Sequence, residues 1–127
     1  MPIRFNHTIV AARDKHASAR FFSDVFGAAE PEAGGFFVAV RLEDDAMLLF
    51  AEAPEEDIAP QHYAFLVDDA DFDAILSRIE ARGIEHWADP RRHRPGINTE
   101  NGGRGVYFLD PAGNFLEAIT RTYRTTP

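Results

Sequence analysis

The sequence predicts an α+β fold made of one unit written twice, and three observations carry that prediction. Each half opens on a strand-like segment bearing a histidine: His7 in Phe5-Asn6-His7-Thr8-Ile9-Val10, and His62 in Gln61-His62-Tyr63-Ala64-Phe65-Leu66-Val67. Seven positions on stands an aspartate, Asp14 or Asp69, and the helical stretch that follows is closed by a glycine. That glycine, Gly27 or Gly83, lies twenty or twenty-one positions after the histidine. Finally, laying Val38 on Val106 places Leu49 opposite Glu117, since both pairs are eleven apart.

The elements follow in order. Ile3 to Ala11 reads as a strand. Asp14 then caps a helix, because its carboxylate can accept from the unpaired amides of the first turn. Ala17, Phe21, Phe22 and Val25 fall at helical spacing, and Gly27 supplies the left-handed residue that ends a helix. Phe36 to Leu42 and Ala46 to Glu52 read as two strands joined by a Glu43-Asp44-Asp45 turn. Ala53 to Pro60, with two prolines and three acids, reads as a surface connector. In the second half Gln61 to Val67 is a strand and Asp69 the cap. Phe72, Ile75, Leu76 and Ile79 mark the apolar helical face, and Gly83 is the stop. Ile84 to Trp87, Arg104 to Leu109 and Asn114 to Arg121 are the remaining strands, the last two joined by the Asp110-Pro111-Ala112-Gly113 turn. An added loop from about Ala88 to Gly103 has a length typical of lids and binding loops.

Composition narrows the function classes. The 127 residues fit a single domain, with modules at about 1–53 and 60–122. A hydrophobic content of 45% and a charged content of 27% are those of an ordered globular chain. The formal net charge of −8 argues against a nucleic-acid binder, which needs a broad basic surface. The one basic cluster, Arg91-Arg92-His93-Arg94, reads as a surface loop able to attract a small anion. With no cysteine there is neither a disulfide nor a thiolate ligand, so any metal binds through nitrogen and oxygen. The absence of a leader-like segment and of a long apolar run predicts a cytoplasmic protein without membrane contact.

The duplication brings four positions into correspondence: His7, Leu49, His62 and Glu117. Side chains two apart on a strand share a face, so His7 goes with Phe5 and Ile9, and Glu117 with Phe115 and Ile119. An ionised carboxylate among apolar neighbours is costly unless it is paired or binds a metal. Two histidines and one carboxylate suit Fe(II) or Mn(II) with open positions for substrate, and Zn(II) can use the same atoms. The bland alternative for each residue alone is a hydrogen-bonded strand histidine or a solvated glutamate; their shared place in the repeat favours the metal. Of the other histidines, His16 is expected on a solvent-facing helix side and His86 on an exposed short strand. His93 is a reserve candidate for proton transfer. No phosphate loop or Gly-x-Ser-x-Gly elbow occurs, so nucleotide-dependent and serine-hydrolase chemistry lack support.

Several segments together resemble the vicinal oxygen chelate superfamily: Asn6-His7-Thr8-Ile9-Val10, Phe21-Phe22 with Phe26-Gly27, Gln61-His62-Tyr63-Ala64-Phe65, and Val106 through Glu117. That group holds glyoxalase I, fosfomycin-resistance thiol transferases, extradiol dioxygenases, epimerases and bleomycin-resistance proteins. The resemblance implies two βαβββ modules whose curved mixed sheets form an open cup, with His7, His62 and Glu117 as ligands of a divalent metal. It also implies a homodimer and a small substrate that chelates the metal through adjacent oxygens. Tyr107 stands where ring-cleaving dioxygenases have an active-site tyrosine, and Arg104 is expected to pair with an anionic substituent. Leu49 stands where glyoxalase I has a glutamate ligand, which speaks against that activity. Asn98, Thr99 and Glu100 stand where ring-cleaving enzymes want a histidine, and the loop lacks the lysine and serine pattern of the fosfomycin enzymes.

Three readings follow. The first is a metalloenzyme on a small oxygen-rich or aromatic substrate, leaning to ring-cleaving dioxygenase-like chemistry, with a thiol transferase as the next enzyme reading. The second is a metal-free, bleomycin-resistance-like binding protein, whose cup could be lined by some of the eleven phenylalanines and Trp87. The third is a structural or regulatory dimer with a degenerate site.

Overall fold

The computed structural model describes residues 1–123. The chain divides into two compact units, the first ending at Ala59 and the second beginning at Pro60. In the first, β1 (His7–Ala12) leads to α1 (Lys15–Phe26), then β2 (Glu32–Gly34), β3 (Phe37–Arg41) and β4 (Met47–Glu52). In the second, β5 (His62–Leu66) leads to α2 (Asp69–Ala81), then β6 (His86–Trp87), β7 (Gly105–Leu109) and β8 (Phe115–Ile119). Each unit is βαβββ. Its four-stranded sheet runs β1-β4-β3-β2 or β5-β8-β7-β6, with the first and last strands parallel and the other neighbours antiparallel. The α+β class and the duplicated order expected from sequence are therefore present.

Local chemistry explains the element ends. Asp14 accepts from the backbone N–H groups of His16 and Ala17, both at 3.0 Å, and opens α1. Gly27 at φ 68° closes it, a conformation that a residue with a Cβ reaches at a cost. The cap of α2 is Asp68 rather than Asp69: its Oδ1 accepts from the Asp71 N–H at 2.8 Å, and Asp69 is already inside the first turn. Gly83, at φ 64°, follows the end of α2 as expected.

Several boundaries differ from the pattern reading. Ile3 to Asn6 lie outside β1, and the short strand β2 was not legible: Glu32-Ala33-Gly34 has no apolar alternation and all three residues are exposed. The buried stripe of α1 is Ser18, Ala19, Phe22, Ser23 and Val25, while Ala17 is exposed. Ser23 tolerates burial because its hydroxyl donates to the Ala29 carbonyl at 2.6 Å. Helix α2 buries Phe72, Ile75 and Ile79, three of the four residues expected, and Leu76 is half-buried.

Alternation fixes which face of the second sheet is which. Val106, Phe108, Leu116 and Ala118 are buried and share parity on their strands. The opposite parity of β7 and β8 places Tyr107, Phe115 and Glu117 on the other face. Register extends that face across the sheet: Ala64 pairs with Glu117, Glu117 with Tyr107, and Tyr107 with Trp87, while His62 pairs with Phe115.

Candidate functional site

The structure brings His62 and Glu117 together. They lie 55 positions apart in sequence, yet His62 Nε2 is 2.8 Å from Glu117 Oε1. Parallel pairing of β5 with β8 creates this contact, because His62 sits two residues before the residue paired with Glu117. The turn before β8 holds the register. Asp110 Oδ1 accepts from the N–H groups of Ala112 and Asn114, and Asn114 Oδ1 accepts from the Gln61 N–H at 3.0 Å. The side chain of Asn114, itself fully buried, thus ties the β7–β8 turn to the residue before His62.

Glu117 has no exposed surface, whereas the His62 side chain is 47% exposed. The carboxylate is compensated at both oxygens: His62 faces Oε1, and the Tyr123 hydroxyl donates to Oε2. Tyr107 completes the cluster, its hydroxyl 2.9 Å from that of Tyr123 and its ring centroid 5.9 Å from that of His62. Burial, the hydrogen bond with Tyr123 and the Glu117 charge all push the Tyr107 phenol far above its ordinary range. Tyr107 is therefore a protonated hydroxyl, able to donate, throughout the physiological range.

Each of the other sequence-predicted residues has its own surroundings within its unit. His7 is exposed on β1 of the first unit, its Nδ1 2.7 Å from Asn6 Oδ1. Leu49 pairs with Ile9 as Glu117 pairs with Ala64, so the two sheets match residue for residue at this position. Arg104 lies against α2: it donates to Asp73 Oδ1 at 2.7 Å and Asp69 Oδ1 at 3.2 Å, with its guanidinium 4.5 Å from the Phe72 ring centroid. The hydrogen bond with Asp73, reinforced by Asp69, raises its pKa further. Asn98 donates to the Ala88 carbonyl at 2.7 Å and accepts from the Glu100 N–H at 3.1 Å, so it fastens the loop to itself. His16 and His93 are exposed, and His86, paired with Phe108, lies on the helix-facing side.

Among the described residues no group of three His, Asp or Glu side chains is arranged to hold a metal ion. The second sheet by itself offers two donors, an imidazole nitrogen and a carboxylate oxygen, converging within hydrogen-bond distance. Those donors fit a borderline divalent cation, and a buried carboxylate facing a histidine is a place where positive charge is stabilised.

Pattern reasoning missed Tyr123 and the aromatic contacts of Arg92. Tyr123 follows the last strand, and no periodicity links it to Glu117. Arg92 belongs to the basic cluster read as a surface loop able to attract a small anion; what the pattern did not show is its seat, the guanidinium 5.7 Å from the Trp87 ring centroid and 5.6 Å from that of Phe115. Both rings stand on the Glu117 face.

All three tyrosines of the chain have pKa values raised above 10.0, with burial the leading cause in each. A phenol whose folded pKa is raised contributes stability that is complete below pH 10 and is lost as pH rises through the folded value. Alkaline titration is therefore expected to show little phenolate absorbance at pH 10, then a rise coincident with loss of circular dichroism. Half-ionisation near pH 10 with structure intact would contradict these environments.

The model of the Glyoxalase/Bleomycin resistance protein/Dioxygenase superfamily matches residues 4–118. Among solved structures, the chain is similar to the oxidase ChaP-H1, with 50% identity, a TM-score of 0.92, and coverage of 98% of this chain and 100% of that one. For the oxidase ChaP-H2 the values are 48% identity and a TM-score of 0.92, with 98% of both chains covered. Among curated proteins it is 29% identical to the glutathione transferase FosA of Serratia marcescens, over 88% of this chain and 77% of that protein.

Proposed function

Because the chain belongs to the Glyoxalase/Bleomycin resistance protein/Dioxygenase superfamily, we propose that it is a divalent-metal-dependent enzyme acting on a small oxygen-chelating substrate, with oxidative, dioxygenase-like chemistry. The observation that carries the reading is the 2.8 Å approach of His62 Nε2 to Glu117 Oε1, with the carboxylate fully buried. His62 and Glu117 are the donors from the second sheet, and His7 is the third, supplied by this chain or by its copy. Fe, Mn and Zn all suit this set. When bound, the ion supplies Lewis-acid stabilisation to a developing oxyanion on the substrate.

The protein's own groups have defined tasks in this reading. Tyr107 stays protonated, and its one hydroxyl proton, which meets the Tyr123 oxygen in the free protein, turns to a substrate oxygen when substrate is bound. Tyr123 holds the second oxygen of Glu117, fixing the carboxylate's rotation. Arg104, which was expected to meet an anionic substituent, clamps the start of β7 to α2 through Asp69 and Asp73. The similarity to two chains described as oxidases, at 50% and 48% identity, favours oxidation over the thiol transfer suggested by the more distant FosA. Exposed apolar residues beside His7, Phe5 at 65% and Ile9 at 55%, support a homodimer. No helix among the described residues is long and apolar enough to cross a membrane. A cytoplasmic setting also agrees with a chain lacking cysteine.

Elemental analysis of protein purified without chelator tests the reading. Wild type is expected to carry metal near one equivalent per chain and His62→Ala well below that. Equal, substoichiometric metal in both would favour a metal-free binding protein.

A further inference from the structure

One cation on the Glu117 face has no part in the chemistry above. The loop after β6 turns sharply at Asp89, whose Oδ1 accepts from the N–H groups of His93 at 2.9 Å and Arg94 at 2.8 Å. The Asp89 carbonyl accepts from the Arg92 N–H at 3.1 Å. This turn holds Arg92 at φ 62°, a left-handed conformation that residues other than glycine seldom adopt. The result is a guanidinium set over two aromatic rings at once, Trp87 and Phe115, within cation–π range of both.

The placement relates Arg92 to the candidate centre. Phe115 is paired with His62 and lies two residues before Glu117 on the same strand and face, a spacing of about 7 Å. Trp87 lies in the same cross-strand row as Tyr107 and Glu117. The guanidinium also differs from those of Arg94 and Arg104 in charge compensation. Arg94 pairs with Glu100 at 3.6 Å and Arg104 with Asp69 and Asp73, but among the described residues no carboxylate pairs with Arg92. A guanidinium stacked on aromatic faces keeps its in-plane N–H groups available, in a fork that matches a carboxylate.

We propose that Arg92, held over Trp87 and Phe115, is the specificity residue that takes the anionic group of an aromatic substrate whose adjacent oxygens bind at His62 and Glu117. The substrate class is then a planar aryl carboxylate, or an equivalent anion, with vicinal oxygens at the far side of the ring. The rings of Trp87 and Phe115 flank such a plane, and Arg92 reads its charge. The assignment deepens the proposed function and rests on it for the oxygen-binding end alone.

Calorimetric titration of the whole protein with 3,4-dihydroxybenzoate and with its uncharged methyl ester tests this, each with Mn(II) and after chelator treatment. Wild type is expected to prefer the carboxylate by about tenfold, as befits one charge-assisted contact. Arg92→Gln is expected to bind both compounds equally, with the ester's affinity unchanged. Arg92→Lys, which keeps the charge but loses the fork, is expected to retain a smaller preference. An undiminished preference in Arg92→Gln, or no binding of either compound at millimolar concentration, would overturn the assignment. The metal reading is tested separately within the same set. If Mn(II) strengthens neither compound, metal chelation fails while an Arg92-dependent preference still stands. If Mn(II) strengthens both and Arg92→Gln changes nothing, Arg92 alone is misassigned.

Discussion

Replacing Glu117 with leucine is expected to abolish metal uptake and turnover while leaving the second unit as stable as before, or more so. The two halves of the molecule contain the comparison already. Leu49 occupies on β4 the register position that Glu117 occupies on β8, so the fold accepts leucine there. Glu117 is fully buried, and a carboxylate in such a place commonly costs as much in lost hydration as its partners return. Glu117→Leu removes that cost, and its two partners lose little. The His62 side chain is half in solvent, and Tyr123 is 49% exposed, so both turn to water. The expected change in unfolding free energy lies between about zero and a gain of about 2 kcal/mol. Loss of the carboxylate donor should weaken Mn(II) binding by at least about a hundredfold, since removal of even a supporting residue costs about ten- to a hundredfold. Calorimetry with Mn(II) and urea unfolding measure the two quantities. A variant that loses stability by several kcal/mol would mean that Glu117 is chiefly structural. One that still binds Mn(II) as wild type does would remove it from the ligand set.

That trade between function and stability was visible in the sequence because it depends on alternation and repetition, which a chain displays openly. Asp14, Gly27 and Gly83 were legible for a similar reason: a cap or a left-handed stop is a local chemical requirement. Asp68 and Asp69 were not separable, since adjacent acids cap equally well and the choice depends on where the chain leaves β5. Arg104 could have been placed by parity. It shares phase with Val106 and Phe108, which face α2, and not with Tyr107. Tyr123 and the placement of Arg92 over its two rings escaped for a different reason. Each reaches the Glu117 face from outside the regular strands, along a path set by the tail or by the Asp89 turn. Sequence spacing carries no record of such a direction.

The largest loss of stability is expected from Phe72→Ala. Phe72 is completely buried on α2 beside Ile75 and Ile79, and its ring is the platform for the Arg104 guanidinium at 4.5 Å. Truncating a buried phenylalanine typically costs about 3–5 kcal/mol in transfer and cavity terms. Removing the cation–π platform adds about 0.5–1 kcal/mol at this exposed rim. A total near 4–5 kcal/mol is comparable with the whole stability of a small domain, about 5 kcal/mol at the low end. Phe72→Ala should therefore populate unfolded protein in dilute urea, while Leu76→Ala, which is only half-buried, should cost about 1–2 kcal/mol. Urea midpoints of the two variants, compared at constant slope, give the answer. Equal losses would mean that α2 does not seat on the sheet through Phe72.

The parallel pairing of β5 with β8 also sets the order in which the second unit can assemble. The strand bearing His62 emerges first and the strand bearing Glu117 last, with 55 positions between the two side chains. Helix α2 and the β7–β8 hairpin are local and can form early, but the β5–β8 ladder must close a long loop before it gains any contact. Such non-local closure is slow and entropically costly. A ribosome-bound chain that has not yet released Glu117 holds helix α2 but neither the β7–β8 hairpin nor a paired His62. The donor pair is then among the final contacts made in folding, and metal capture by a refolding chain should lag behind the recovery of helical signal.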